Sequence, residues 1–204
     1  MNNKISRIEK KFLLNRQEVD ILRNYVKKYC SIDPFCGPKN SYKVDSIYYD
    51  DKYLSSFYEK FDGDSNKTKY RIRYYRDDVS SMQGEIKVKE FDTSQKYSVK
   101  LNCNSIETFS KSQKDPSFFS DAIVRNQLKP IVHISYQREA YICATEGIRI
   151  TFDHHLKFDV LSGRICGNHF ADYPLDGVIF EVKYRKLNYW LINLLAELKE
   201  KNVS

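Results

Sequence analysis

The sequence is poor in the residues that mark the commonest nucleotide and metal sites. Its 7 glycines include no G-x-x-x-x-G-K-[ST] array, so no P-loop cradles phosphate with backbone amides, and the glycine of "FDGD" belongs to a turn. The cysteines, Cys30, Cys36, Cys103, Cys143 and Cys166, are odd in number and contain no C-x-x-C pair. That argues against a disulfide framework and a zinc site, and for reduced thiols in a cytoplasmic chain. No run of about 18 apolar residues occurs and the opening "MNNKISRIEKKF" lacks an apolar core, so neither a membrane span nor a signal peptide is expected. No Ser or Cys has the sequence context of a nucleophile. His154 and His155 are adjacent, and neighbours on a strand face opposite ways, so they are not expected to share a metal.

What the chain has is charge and aromatic rings. Its 16 Tyr and 12 Phe favour half-buried strands. Lys and Arg number 34 against 27 Asp and Glu, a net charge of +7, which suggests a polyanionic partner: nucleic acid, an acidic membrane surface or a phosphate-rich small molecule. With 204 residues, 30% charged and 41% hydrophobic, it fits one globular domain over residues 1–204.

A strand is expected over 5–14, then a helix capped by Asn15 and running to about Tyr29, with Val19, Leu22 and Val26 near helical spacing. "DPFCGPKN" breaks the pattern. Strands follow at 44–50, 68–76, 83–91 and 95–102, then a polar stretch at 103–116 and a short helix from Ser117 to Asn126. Further strands fall at 131–144, 147–153, 156–160 and 177–185, and Leu191, Leu194, Leu195 and Leu198 mark a closing helix. The fold class is α+β with a large antiparallel sheet, because no regular β-α-β alternation appears.

The chemistry lies in the strands' alternation. In "KYRIRYYR" Lys69, Arg71 and Arg73 share a face ~7 Å apart, opposite Tyr70, Ile72 and Tyr74. Glu85, Lys87 and Lys89 alternate likewise, as do Lys96, Ser98 and Lys100, Arg149, Thr151 and Asp153, Glu181, Lys183 and Arg185, and Arg7, Glu9 and Lys11. One such strand reads as an amphipathic strand with a solvated face. Six together read differently, since Ile86, Val88, Phe91, Ile150, Phe152, Val182 and Tyr184 supply an opposite apolar face for helices to cover. If the sheet curls into a barrel, its charged side faces a lumen, and an entering anion neutralises cations that are otherwise costly to bury. Carboxylates among those cations make sense if a divalent metal bridges them to phosphate oxygens. Glu9 and Glu181 are the candidate ligands, with Glu85 and Asp153 in reserve, and an ion pair with a neighbouring Lys or Arg is the alternative for each.

The ordered set "RIEKKFLL", "SIYYD", "KYRIRYY", "EIKVK", "YQREAY", "RITFD" and "FEVKY" resembles the VTC domain, the polyphosphate polymerase domain of the vacuolar transporter chaperone family, within the triphosphate tunnel metalloenzymes or CYTH superfamily. The resemblance spans Arg7 to Trp190. It implies a closed eight-stranded antiparallel β-barrel with helices packed outside, and a Lys- and Arg-lined tunnel holding a triphosphate with Mn or Mg. The superfamily's Glu-x-Glu-x-Lys opening stands here as Arg7-x-Glu9-x-Lys11. By resemblance Lys11, Arg71, Arg73, Lys87, Lys100, Arg138 and Arg149 contact phosphate, Lys89 and Lys183 assist, and Glu181, with Glu9, holds the metal. The missing first Glu fits the polymerase branch better than two-metal hydrolysis. The resemblance also implies a Ser-Lys segment beyond the closing helix; this sequence ends "KEKNVS", so that contribution is expected to lie outside it or to be absent.

Three functions follow: transfer of the ATP γ-phosphoryl group to a growing polyphosphate chain; hydrolysis of tripolyphosphate or a nucleoside triphosphate; or non-catalytic binding of polyphosphate or nucleic acid. Nucleic acid ranks last, because Tyr and Arg alternate onto opposite faces where a stacking platform needs them together.

Overall fold

The computed structural model describes residues 8–91, 93–101, 117–161, 170–172 and 177–199, apart from the side chains of Val79 and Asp172. In chain order the elements are β1 (Ile8–Leu14), α1 (Arg16–Val26), β2 (Ser31–Ile32), a 3-10 helix (Pro34–Lys39), β3 (Tyr42–Asp50), α2 (Ser55–Phe61), β4 (Lys67–Tyr75), β5 (Asp78–Glu90), β6 (Thr93–Lys100), α3 (Phe118–Arg125), β7 (Lys129–Cys143), β8 (Ile148–Val160), β9 (Ala171–Asp172), β10 (Val178–Tyr184) and α4 (Tyr189–Glu197). The fold is α+β. The hydrogen-bonded path runs β1-β10-β8-β7-β3-β4-β5-β6, with β2 on β7 and β9 on β8 as short additions. Every pair with a described register is antiparallel.

The chain divides into two compact units. The first comprises Met1–Tyr42, Tyr136–Leu156 and Tyr173–Ser204, the second Lys43–Ser135 and Lys157–Asp172. In the first, Asn15 ends β1 and starts α1: its side chain accepts from the Glu18 amide, and the Glu18 carboxylate accepts from the Asn15 amide. Val19, Leu22 and Val26 then bury one stripe of the helix. With α4 they cover the apolar face of β1, β10 and β8, meeting Phe12, Ile150, Phe152, Phe180 and Val182 in one core. The Tyr29 and Trp190 rings stack at 4.7 Å. That apolar layer forces the alternate residues, Glu9, Lys11, Thr151, Glu181 and Lys183, onto the sheet's other face.

In the second unit Ile47, Tyr49, Ile72, Met82, Phe119, Leu128 and Leu161 form a separate core. Gly84 is the point of close approach: a Cβ there would stand 2.5 Å from Phe119 Cγ, so α3 seats its aromatic ring on a strand that has no side chain in the way. Again the alternate residues turn away, here Lys69, Arg71, Arg73, Gln83, Glu85 and Lys87.

Several expectations shift. The first helix stops at Val26, where the amides of Lys28 and Tyr29 tighten onto the carbonyls of Tyr25 and Val26. The two strands expected at 147–153 and 156–160 are one, β8, with a left-handed residue at His155 (φ 51°) near the expected break. Phe91, expected in the apolar layer, is 70% exposed, because its own left-handed backbone (φ 51°) ends the strand before it. The helix α2 and strands β2 and β9 were not foreseen. The polar stretch at 103–116 lies outside the described residues. Among the described residues no helix is long and apolar enough to cross a membrane.

Candidate functional site

The charged face of the first unit is built around Glu181. Its Cα partners are Lys11 on β1 and Thr151 on β8, while Lys183 two residues on faces Glu9 and Arg149. Lys11 Nζ lies 3.2 Å from Glu9 and 3.5 Å from Glu181; Lys183 Nζ lies 3.4 Å from Glu9 and 2.6 Å from Glu181 Oε1. Two carboxylates and two ammonium groups thus form one ring. Glu181 is 5% exposed at the floor of the ring, beside Thr151 at 1%, while the side chains of Lys11 and Glu9 are 42% and 31% exposed at its rim.

Beside this ring Arg138 forks onto Asp153, with Nε donating to Oδ1 at 2.6 Å and the second guanidinium NH2 to Oδ2 at 2.7 Å. Its guanidinium lies over the Tyr136 ring, 5.2 Å from the centroid. Burial alone would lower the Arg138 pKa, but the Asp153 bonds and nearby negative charge raise it above the usual range. Arg149 donates to Asp33 Oδ2 at 2.9 Å and to the Tyr42 hydroxyl at 3.3 Å.

The second unit repeats the plan around Glu85, which is 2% exposed. Arg71 Nε donates to Glu85 Oε2 at 2.5 Å, and Lys96 bridges to the other oxygen. Arg71 also donates to the Tyr48 hydroxyl at 3.2 Å, and Arg73 Nε donates to Ser46 Oγ at 3.0 Å. Burial would raise the Glu85 carboxyl, but the charge of Arg71 and the bond from Lys96 hold it below the usual carboxylate range. Tyr48 behaves alike: burial raises it, while Arg71 and Arg73 bring the phenol below its ordinary value. Such hydroxyls, held by arginines, can donate their own O–H to an anion.

Of the residues singled out from sequence, Lys11, Lys183, Glu9 and Glu181 share one ring in the first unit, with Arg138 and Arg149 on neighbouring strands. Arg71, Arg73, Lys87, Lys89 and Lys100 share one face of β4, β5 and β6 in the second. The reserve carboxylates are engaged: Asp153 gives both oxygens to Arg138, and Glu85 serves Arg71 and Lys96. His154 and His155 do differ in environment; His154 Nε2 lies 3.0 Å from Glu139, and His155 is exposed.

A divalent metal is what the family resemblance implies, and Glu181 is the group that fits one. Glu181 Oε1 and Thr151 Oγ1 are buried with no hydrogen-bond partner, and Lys183 Nζ forms an ion pair with that carboxylate oxygen at 2.6 Å. Among the described residues no three His, Cys, Asp or Glu side chains group closely enough to hold an ion by themselves. One or two carboxylates suffice where phosphate oxygens complete the shell, as is usual for Mg.

Sequence reasoning missed the supports: Asp33, Tyr42, Ser46, Tyr48 and Glu139. Asp33 is 116 residues from its arginine, and no periodicity links them. Tyr48 and Ser46 alternate on β3 as the cations do on β4, a signal that was present in "SIYYD".

The VTC domain family model matches residues 6–204. Among curated proteins none matches the sequence. Solved structures share the fold: a candidate adenylate cyclase from Bacillus halodurans superposes with TM-score 0.60 at 13% identity, covering 97% of this chain and 92% of that one. A candidate adenylate cyclase from Vibrio parahaemolyticus gives 0.53 at 11% identity, covering 97% and 92%. HpAC1 from Hippeastrum, a candidate adenylyl cyclase described as having a dominant triphosphatase activity, gives 0.50 at 13% identity, covering 96% and 88%. With its ordered cation-bearing strands and a family match over almost its whole length, this chain belongs to the VTC domain family.

Proposed function

We propose that the chain is a metal-dependent polyphosphate polymerase of the cytoplasm, transferring the ATP γ-phosphoryl group to the end of a polyphosphate chain in a tunnel formed by closure of its sheet. The observation that carries this reading is the repeated motif of a buried glutamate ringed by Lys and Arg, Glu181 with Lys11 and Lys183, and Glu85 with Arg71 and Lys96. In each ring the glutamate holds its cations in place before an anion arrives, so phosphate meets positioned positive charge.

A terminal phosphate oxygen of the acceptor bonds to the γ phosphorus as the bond to the β-bridging oxygen breaks, releasing ADP. The transition state is loose and spreads charge over the equatorial oxygens, so positioned cations supply the catalysis without a protein nucleophile. Lys11, Arg71, Arg73, Lys87, Lys100, Arg138 and Arg149 hold phosphate oxygens, with Lys89 and Lys183 assisting. Glu181, with Glu9, would hold Mn or Mg, which when bound neutralises phosphate charge. Arg71, Arg138 and Arg149 arrive pre-oriented by Glu85, Asp153 and Asp33, so little side-chain entropy remains to be lost.

A second reading, hydrolysis of tripolyphosphate or a nucleoside triphosphate, is favoured by the fold shared with HpAC1. It differs only in the acceptor, water in place of phosphate. Time-resolved product analysis with ATP and Mn separates them: chains of increasing length support the polymerase, orthophosphate alone supports the hydrolase, and no turnover with intact triphosphate binding supports a binding module.

A further inference from the structure

The short ladder between β2 and β7 brings two cysteines together. Its register sets Ser31 against Ile142 and Ile32 against Tyr141, and the Asp33 amide donates to the Ala140 carbonyl at 2.9 Å. Carried one step the other way, the same register sets Cys30 against Cys143. Residues two apart on a strand share a face, so this pair faces the same way as Ile32 and Tyr141. All four pack on the core of the first unit, with Cys30 7% exposed and Cys143 only partly buried.

The hydrogen bonds fix what kind of pair this is. The Asp33 bond puts Ile32 and Tyr141 at a non-hydrogen-bonded position, Ser31 and Ile142 at a bonded one, and Cys30 with Cys143 at the next non-bonded one. At such positions opposite Cα atoms come to ~4.5 Å and their side chains lie close. A disulfide needs Cα atoms about 4.4–6.8 Å apart, so closing one here asks for no rearrangement of the strands.

The two thiols differ in access. Cys143 reaches solvent, its Sγ 3.5 Å from Thr145 Oγ1. Burial pushes the Cys30 thiol up to about 12, and negative charge on Cys143 and Glu146 adds to the effect, so Cys30 keeps its proton and is shielded from an oxidant in solution. Cys36 is no rival for either: it is 2% exposed, and its Sγ donates to the Ala140 carbonyl at 3.7 Å. Cys103 and Cys166 lie outside the described residues.

We propose that Cys30 and Cys143 are a peroxide-sensitive thiol pair that closes to a cross-strand disulfide. The Cys143 sulfur attacks one peroxide oxygen; the S–O bond forms, the O–O bond breaks, and the departing hydroxide leaves as water with the thiol's proton. Cys143 is then a sulfenic acid. The Cys30 sulfur attacks it; the S–S bond forms, the S–O bond breaks, and a second water leaves with the Cys30 proton. Two thiols lose two electrons and one peroxide is reduced to two waters. The new bond ties β2 to β7 three residues from Asp33, the partner of Arg149. Neither step needs a triphosphate site, so the pair stands or falls independently of the function proposed above.

The experiment exposes the folded chain to hydrogen peroxide, blocks the remaining thiols in urea and measures the mass. Closure should remove two hydrogens, about 2 Da, and lower the number of blocked thiols from five to three, both reversed by dithiothreitol. Fragmentation of the linked peptides should join Cys143 to Cys30 and not to Cys36. Cys36→Ser should keep the link, while Cys30→Ala and Cys143→Ala should each lose it. In Cys30→Ala, dimedone should trap the sulfenic acid on Cys143. The Asp33 amide should exchange its hydrogen more slowly in the oxidised chain. Five free thiols after peroxide, a link through any other cysteine or between two chains, or a link that forms only in urea overturns the pair; these readings come from the unaltered chain and do not depend on a variant folding. Unchanged Asp33 exchange with the bond in place overturns the tie to the Arg149 partner.

Discussion

Arg138 and Asp153 lock together as a fork, two parallel bonds of 2.6 and 2.7 Å, with side chains only 11% and 9% exposed. The guanidinium that family resemblance gives to phosphate is thus already compensated by a carboxylate, and the same is true of Arg149 on Asp33 and Arg71 on Glu85. These carboxylates hold each arginine's direction and make the ligand-free protein tolerable, at some cost in repulsion toward the incoming anion.

Asp153→Asn should be destabilising, because it keeps the volume but leaves Arg138 buried beside a neutral partner; removing one member of a buried pair costs about 3–5 kcal/mol. Triphosphate should then raise the melting temperature of the variant more than that of the parent, since the anion replaces the lost charge. Urea unfolding with and without triphosphate reads both effects. An unchanged midpoint would mean that Arg138 relaxes to water when Asp153 is neutral.

Gly84→Ala should destabilise for a different reason. The new methyl would sit 2.5, 2.7 and 2.9 Å from three atoms of Phe119, itself fully buried. Overpacking of this kind costs about 1–3 kcal/mol. Phe119→Leu loses packing on its own, but combined with Gly84→Ala it should lose less than the sum of the two, because the shorter side chain makes room. Melting temperatures of the three variants form the cycle, and strict additivity would exclude a direct clash.

Glu139 ties stability to acid pH. It accepts both nitrogens of Arg23 at 2.9 Å and lies 3.0 Å from His154. Burial raises its carboxyl, but the adjacent His154 ring and the bonds and charge of Arg23 outweigh that and bring it from an ordinary 4.5 down to about 2. A folded-state value below the unfolded one means stability that is fully present above about 4.5 and is lost as pH falls toward 2. Glu139→Gln should therefore lower the urea midpoint at neutral pH and flatten its decline through that window. A decline as steep as the parent's would assign the acid sensitivity to other carboxylates.

The sheet was legible because charge and hydrophobicity alternate with period two on the same strands, so Lys11, Arg71, Lys87 and Glu181 could be put on a common kind of face from spacing alone. Helix α1 was legible through Asn15 and the Val19, Leu22, Val26 stripe. Helix α2 was not, since it buries no side chain and offers no stripe. It is started instead by Asp50, whose carboxylate accepts from the amides of Ser56 and Phe57, a cap hidden at the end of a strand. Partners such as Asp33 for Arg149 and Glu139 for Arg23 depend on chain segments over a hundred residues apart, which no local pattern reports.

Glu181 and Arg71 should separate catalysis from binding. Glu181→Gln removes a charge that repels phosphate and keeps the side chain's size, and Lys11 and Lys183, now relieved of it, are freer to meet an anion. Affinity for triphosphate in EDTA should hold or rise, while metal-dependent phosphoryl transfer should fall. Arg71→Ala deletes a phosphate contact and leaves Glu85 to Lys96 alone, so binding should weaken with or without metal. The measurements are triphosphate affinity in EDTA and phosphoryl transfer with Mn for both variants. If Glu181→Gln lost binding in EDTA yet kept its metal-dependent turnover, the carboxylate would be a structural partner of Lys11 and Lys183, and the metal would have to be held elsewhere.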